Sequence, residues 1–304
     1  MENIEKLKEY YKQYCSPLIF VNETTLPNNK SAKVFLYNFN TSEELENFKK
    51  VFQEYLPFYV LNFDLIENYI VDDTISKQLV KDAKYIYETD ITPTRKTGIN
   101  GIFGELYNDY YIKNVLNDEI LLQYLSRKDF NTPDSESKGI DVVACNEKDG
   151  KLEIIMSEAK FVGNLSTAKN NLKDDISGTT GHLNKEYINK YMNFVMYRQD
   201  GLDKRRSKEI QKLVTEFNTK KWKEKLDFID CINELDCSCR FIYFAVFRQC
   251  QKRDINDFED EILEIIQEFN QNIVNTGINN YSIEVVFIPT FNESMTLKKK
   301  MEEW

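Results

Sequence analysis

Histidine is nearly absent from the sequence, which has only His182 among its 304 residues. This scarcity excludes a histidine-rich zinc site or a histidine-metal nuclease. A Ser-His or Cys-His nucleophilic enzyme would have to use His182, which lies in the Gly- and Thr-rich segment Ser177–Leu183, typical of a loop. The phosphate-binding pattern Gly-x-x-x-x-Gly-Lys-Ser/Thr is also missing, which argues against a nucleotide hydrolase.

Cysteine is sparse as well, and no segment has the features of a secretion signal or a membrane span. The six cysteines are Cys15, Cys145, Cys231, Cys237, Cys239 and Cys250. The last four are separated by five, one and ten residues, which matches no usual zinc or iron–sulfur ligand pattern. We therefore expect a cytoplasmic protein whose thiols are reduced.

Basic residues are outnumbered, with 40 Lys and Arg against 50 Asp and Glu, so the net charge is −10. A protein that binds nucleic acid unaided usually has a basic surplus. If this chain acts on DNA, either its basic groups are concentrated on one face or a partner supplies most of the binding.

One basic run does occur, Lys204–Lys225, with nine basic and three acidic residues. It is either an ordinary solvated helix face or a surface that follows a phosphate backbone. The candidate DNA contacts within it are Arg205, Arg206, Lys208, Lys212 and Lys221.

The hydrophobic pattern predicts a mixed α/β chain built on a central sheet. A strand-like segment, Ala32–Phe39, indicates a small N-terminal α/β unit, 1–95, with a possible partner-docking or regulatory role. The Pro-, Gly- and Thr-containing segment Asp90–Asn100 would separate it from a second domain, 96–304.

The C-terminal part of the chain predicts parallel strands. Arg240–Phe247 and Tyr281–Ile288 are almost continuously apolar, as expected of strands buried on both faces, and a helical segment, Asp257–Asn275, separates them. This order predicts a parallel βαβ crossover in the central sheet.

The segment Gly139–Phe161 carries the candidate chemistry. Its central Asp149-Gly150 pair favours a two-residue type I′ hairpin turn, in which paired residue numbers sum to 299. Asp141 then lies opposite Glu158, with Cβ atoms about 5 Å apart. Lys160, two residues further along the strand, projects from the same face as Glu158.

Two carboxylates facing each other are destabilising unless something compensates their charge. Mg²⁺ suits carboxylate oxygens, with Mn²⁺ as a substitute, and the carbonyl of Ala159 is a further candidate ligand. Bound water can then act on a phosphodiester, while Lys160 orients that water and offsets charge on the phosphate. The alternative is a surface salt bridge of little energetic value, but the neighbouring strand residues are mostly apolar.

This pattern resembles the PD-(D/E)xK nuclease superfamily, whose core has an acidic residue on one strand and Glu-x-Lys on the next. Asp141 and Glu158-Ala159-Lys160 match that core, although Ile140 replaces the proline that often precedes the aspartate. A literal Pro133-Asp134 occurs, but it lies in a loop and is out of register with Glu158. The resemblance implies a restriction-endonuclease-like central mixed sheet flanked by helices.

In that superfamily a helix before the strands often carries a further glutamate. Glu105 has this position, so the resemblance implies that it assists as a catalytic and metal-binding residue. The alternative is a carboxylate near a helix start that only complements the helix dipole.

A wider set of segments is similar to the HamA family, the nuclease-like subunits of the Hachiman anti-phage defence system. These segments are Gly101–Leu116, Lys138–Ala144 and Ser157–Phe161, followed by a helix-rich insertion. The resemblance implies DNA cleavage in bacterial defence, with a superfamily 2 helicase, HamB, as partner. A helicase that supplies the main grip on DNA would also explain the acidic net charge.

A second interpretation stays open at this point. A degraded domain of the same fold would only sense DNA or regulate its partner. The complete Asp141, Glu158 and Lys160 set argues against it, because an inactive site does not need all three.

Overall fold

A computed structural model describes residues 18–37, 43, 70–71, 74–75, 81–83, 85, 99–116, 119–122, 140–176, 183–197, 208–247 and 259–289. Within these ranges the strands are β1 Leu18–Thr25, β2 Ser31–Tyr37, β3 Ile70–Val71, β4 Thr74–Ile75, β5 Glu119–Leu122, β6 Val142–Lys148, β7 Lys151–Val162, β8 Ser238–Phe247 and β9 Tyr281–Pro289. The helices are α1 Ile99–Tyr110, α2 Leu165–Ile176, α3 Lys185–Tyr197, α4 Lys208–Glu224, α5 Phe228–Glu234 and α6 Glu259–Thr276, and a π-helical turn, Tyr111–Val115, extends α1.

Seven of the described strands form one central sheet in the order β1-β2-β9-β8-β7-β6-β5. The pairs β2–β9, β9–β8 and β8–β7 are parallel, whereas β1–β2, β7–β6 and β6–β5 are antiparallel. The predicted α/β fold with a mixed central sheet flanked by helices is therefore confirmed. The predicted crossover is also present, since β8, α6 and β9 follow one another and the two strands are parallel neighbours.

The two strands nearest the N-terminus extend this same sheet. Ala32 of β2 pairs with Ile283 of β9, and the turn between β1 and β2 is fixed by Asn28, whose side chain donates to Asn270 of α6 at 3.2 Å. These strands belong to the segment expected to form an N-terminal unit, so that part of the unit is continuous with the sheet. The expected boundary near residue 95 lies outside the described residues.

The two faces of the sheet have different covers. On one face, alternate residues of β7 and β8 such as Met156 and Phe241 join side chains from α2 to α6 in the main hydrophobic core. On the other face, Tyr107 and Tyr111 pack against Phe244 of β8, with ring centroids 5.2 and 5.6 Å apart. We refer to these as the core face and the α1 face. Side chains alternate along a strand, so each strand residue belongs to one of them.

Candidate functional site

The hairpin that carries the candidate site has the predicted register. Pairs run from Lys148↔Lys151 to Val142↔Ser157, and every pair of numbers sums to 299. Asp149 and Gly150 have φ values of 54° and 75°, which the type I′ turn requires at both central positions. The local turn chemistry thus sets which side chains of β6 and β7 face each other.

β6 begins one residue after Asp141. Where the pairing of β6 with β7 stops, the aspartate side chain provides a hydrogen-bond acceptor for β7. Its Oδ2 accepts a hydrogen bond from the backbone N–H of Ala159 at 2.8 Å. A buried strand N–H needs an acceptor, and here a carboxylate supplies it in place of a neighbouring strand. Asp141 is thereby fixed beside the Glu158–Lys160 segment of β7.

Glu158 and Lys160 lie on the core face, where they neighbour Tyr243 and Ala245 of β8. Lys160 Nζ donates to Glu158 Oε1 at 2.9 Å, and only 12% of the Glu158 side chain and 20% of the Lys160 side chain are exposed. A carboxylate with so little exposure requires a charge partner or hydrogen bonds, which this ion pair provides. Both side chains keep a small exposed fraction, so the site remains accessible from solvent.

The core around this pair is ordered by two tyrosine hydrogen bonds. Tyr243, beside Glu158, donates its hydroxyl hydrogen to the carbonyl of Ala168 in α2 at 2.7 Å. Tyr191 of α3 donates to the carbonyl of Ile140, next to Asp141, at 3.0 Å. Helix α2 is therefore tied to β8 beside Glu158, and α3 is tied to the segment that carries Asp141.

Glu105 is buried on α1, and α1 packs on the opposite face of the sheet from Glu158 and Lys160. A Cβ placed on Gly104, the preceding residue, would lie 3.2 Å from the backbone carbon of Lys160. The glycine therefore allows α1 to approach the backbone of β7 at the level of Lys160. Ser157 faces α1 and donates to Asn108 Oδ1 at 2.7 Å.

The donor set fits a hard divalent cation with few protein ligands. Asp141 and Glu158 offer carboxylate oxygens at the end of β6, and Mg²⁺ is commonly held by one or two carboxylates, with water and phosphate completing its shell. Within the described ranges no three His, Cys, Asp or Glu residues are grouped to hold a metal. The arrangement suits chemistry in which a phosphate substrate completes the coordination.

The basic run falls largely on α4, where its members have different environments. Lys208 and Lys212 are exposed, whereas Lys221 is only 6% exposed and faces the same side of the helix as Phe217. Arg205 and Arg206 lie outside the described residues. The surface of α4 therefore offers two of the five expected cations.

The cysteines that the structure describes are buried free thiols. Burial raises the pKa of Cys231 to about 11 and that of Cys237 to about 12, and it raises the pKa of Cys239 well above its ordinary value. Such thiols remain protonated, which suits packing rather than catalysis. His182, Cys15 and Cys250 lie outside the described residues.

Three features were not anticipated from the sequence. A buried ionic group on the α1 face joins Arg240 to Glu153 at 2.9 Å, and Tyr111 donates to Glu284 at 2.6 Å. Gly104 makes the close contact of α1 with β7, and a glycine inside a helical pattern is the signal that points to such an approach. The third is Trp222 of α4, which is 73% exposed.

Comparison with known proteins identifies the family. None of the described helices is both long enough and apolar enough to cross a membrane. Neither a curated protein nor a solved structure matches the chain. A family model described as HamA matches residues 15–304, which is nearly the whole chain. The chain therefore belongs to the HamA family, whose place is in the Hachiman anti-phage defence system.

Proposed function

We propose that this protein is a Mg²⁺-dependent nuclease that hydrolyses phosphodiester bonds of DNA in anti-phage defence. One observation supports the proposal: the Asp141 carboxylate accepts the N–H of Ala159 just before β6 begins, and Glu158 and Lys160, on either side of Ala159, form an ion pair in the buried part of β7. Charged groups in such strands carry a desolvation cost, so their presence calls for a chemical role.

In this proposal Asp141 and Glu158 hold Mg²⁺, and the carbonyl of Ala159 is a further ligand. Mg²⁺ bound there would polarise the phosphate oxygens and bring the attacking water to the phosphorus. Asp141 also accepts the Ala159 N–H, which keeps its carboxylate in a fixed position and limits the reorganisation needed during the reaction.

Lys160 has a separate task. Its ammonium, which pairs with Glu158 at 2.9 Å, would hydrogen-bond a phosphate oxygen or the attacking water and offset negative charge in the transition state. The water adds to phosphorus and releases a proton to solvent, and the bond from phosphorus to the leaving oxygen breaks. The leaving oxygen takes up a proton from solvent, so the products are a phosphate monoester and a free hydroxyl. Glu105 remains a predicted assisting residue, and Glu105→Gln tests it.

We also propose that a superfamily 2 helicase of the HamB kind delivers DNA to this site or restrains its cleavage. Membership of the HamA family implies partner components. The net charge of −10 supports a partner that supplies part of the phosphate contacts.

The test compares plasmid and linear DNA degradation with Mg²⁺ by the wild type, Glu158→Gln and Lys160→Ala, each alone and with the partner. Loss of about a hundredfold or more in both variants is expected. Lys151→Ala is a matched control, because Lys151 is an exposed lysine of the same strand that pairs with Asp236 instead. Its cleavage should equal that of the wild type.

A second readout does not depend on cleavage. Binding of Mn²⁺, measured by its paramagnetic resonance signal, should be weakened in Glu158→Gln and retained in Lys151→Ala. Equal cleavage by wild type, Glu158→Gln and Lys160→Ala would contradict the site. A wild type that never cleaves, with or without its partner, yet binds DNA would establish the inactive DNA-sensing module in its place.

A further inference from the structure

The outer surface of α4 carries a continuous stripe without an acidic residue. Its members are separated by four, three, four and three residues, which places them on one side of a helix. We call this the α4 stripe, and it consists of Lys208, Lys212, Thr215, Thr219 and Trp222, all of which are exposed. At 1.5 Å per residue it is about 21 Å long.

The remaining charged residues of α4 lie beside the stripe or on other faces of the helix. Glu216 approaches Lys212 only to 3.7 Å, between side chains that are 76% and 56% exposed, and such pairs bind weakly. Lys220 is engaged elsewhere, with Glu224 at 2.7 Å and Glu234 at 3.1 Å. In a chain of net charge −10, the members of the stripe thus carry only positive charge, with Glu216 at its border.

Trp222 contributes little to the packing of α4. The helix is held by Ile210, Val214 and Phe217, which are buried in the main core, while the indole of Trp222 is 73% exposed. Leaving this much aromatic surface in water is unfavourable, and burying it against a ligand recovers that free energy. The exposed indole is therefore accessible to a ligand that binds along the stripe.

The stripe belongs to the layer of helices that covers the core face, where Glu158 and Lys160 lie. Asn218 of α4 donates to the carbonyl of Met196 in α3 at 3.1 Å, and Tyr191 of α3 donates to Ile140 beside Asp141. A ligand on the stripe would accordingly bind on the side of the sheet that carries the candidate site.

We propose that the α4 stripe binds single-stranded DNA, with Lys208 and Lys212 on phosphates and Trp222 stacked on a base. Lysines and hydroxyls are ordinary phosphate contacts, and an aromatic ring stacks on any base that is not already enclosed by neighbours. The interior of a duplex offers no such base face, which selects the single strand. The stripe has the length of about six stacked nucleotides at 3.4 Å each. This inference extends the proposed function by specifying single-stranded DNA as the ligand. It rests on the proposed function only where it takes the bound strand to be the strand that is cleaved.

The experiment uses the full chain in a chelator, so that binding is measured without cleavage. Trp304→Phe leaves Trp222 as the only tryptophan, since the sequence has two. A labelled oligothymidylate should quench the fluorescence of Trp222. Trp222→Ala should weaken binding about tenfold, and Trp222→Phe should retain most of it. Leu263→Ala, at an exposed apolar residue of α6, is the matched control and should bind like the wild type.

A salt titration tests the lysines. In Lys212→Gln the slope of log affinity against log salt should fall by about 0.7, as expected for the loss of one contact with a single strand. An unchanged slope would remove Lys212 from the binding surface.

Two results overturn the inference. Absence of quenching together with equal binding by Trp222→Ala and Leu263→Ala would show that DNA does not occupy the stripe, which would leave the indole for a protein partner. Equal quenching by a blunt duplex of the same length would refute the preference for a single strand. Unchanged cleavage by Glu158→Gln with quenching of Trp222 intact would contradict the nuclease site alone, so the two proposals fail separately.

Discussion

Asp141 is expected to have two separable roles, one in stability and one in catalysis. Its Oδ2 accepts the N–H of Ala159, a residue with only 6% of its surface exposed. In Asp141→Ala this donor loses its acceptor, and a buried unsatisfied N–H costs about 1–3 kcal/mol. In Asp141→Asn the amide oxygen still accepts the bond, so most of that free energy is retained.

The two variants should therefore differ in thermal stability but not in activity. A loss of about 1–3 kcal/mol lowers the midpoint of unfolding by about 2–6 °C in a domain of this size, whereas Asp141→Asn should unfold within about 1 °C of the wild type. Both variants lose the negative charge proposed to hold Mg²⁺, and both should lose about a hundredfold in DNA cleavage.

Calorimetry and a plasmid cleavage assay on the same preparations measure both effects. Asp141→Ala unfolding at the wild-type temperature would refute the role of the carboxylate in completing the strand pairing. Asp141→Asn cleaving DNA at the wild-type rate would refute its role in holding the metal.

Two further changes probe the elements around the site. Gly104→Ala puts a Cβ 3.2 Å from the Lys160 backbone, so α1 must shift by a few tenths of an ångström. DNA cleavage should fall about tenfold, while the higher helix propensity of Ala limits the loss of stability to about 1 kcal/mol. Cleavage at the wild-type rate would contradict this prediction. Burial raises the pKa of Glu284, so the stability of the protein should fall as pH rises above the ordinary carboxyl pKa. Thermal melts from about pH 4 to pH 8 should show a flatter dependence for Glu284→Gln than for the wild type. An unchanged profile would exclude Glu284 as the source of the dependence.

The hairpin was predictable because local rules determine it. An Asp-Gly pair fixes the turn type, and the two-residue period of a strand then fixes every cross-strand neighbour from Lys148 to Val142. The buried strands β8 and β9 were predictable for a similar reason, since strands covered on both faces are almost continuously apolar.

The placement of α1 was not predictable, because nothing in a local pattern says which face of a sheet a helix covers. The contact of Gly104 with β7 and the hydrogen bond from Ser157 to Asn108 appear only when the tertiary arrangement is known. The residue at which β6 begins was not predictable either. The Asp141 carboxylate there accepts the N–H of Ala159 in place of a neighbouring strand, and the hydrophobic pattern gives no sign of this hydrogen bond.

The burial of Lys221 follows from the helical spacing of the apolar residues in α4. Ile210, Val214, Phe217 and Lys221 are separated by four, three and four residues, which is the spacing of one buried helix face. Lys221 is therefore expected on the apolar side despite its charge, and Trp222 on the exposed side despite its ring. Helical periodicity, rather than the number of basic residues in the run, therefore distinguishes its buried members from its exposed ones.

The contacts of Asp141 and Glu158 bear on the role of a metal ion. From the sequence, two facing carboxylates appeared to need a cation to offset their repulsion. In the structure the chain compensates each carboxylate itself, since Asp141 accepts the N–H of Ala159 and Glu158 pairs with Lys160. Each carboxylate thus has a compensating contact within the chain, unlike the ligands of structural metal sites that fold only when loaded. In the proposed function Mg²⁺ would accordingly serve catalysis rather than folding, because these contacts already hold the acidic residues in position.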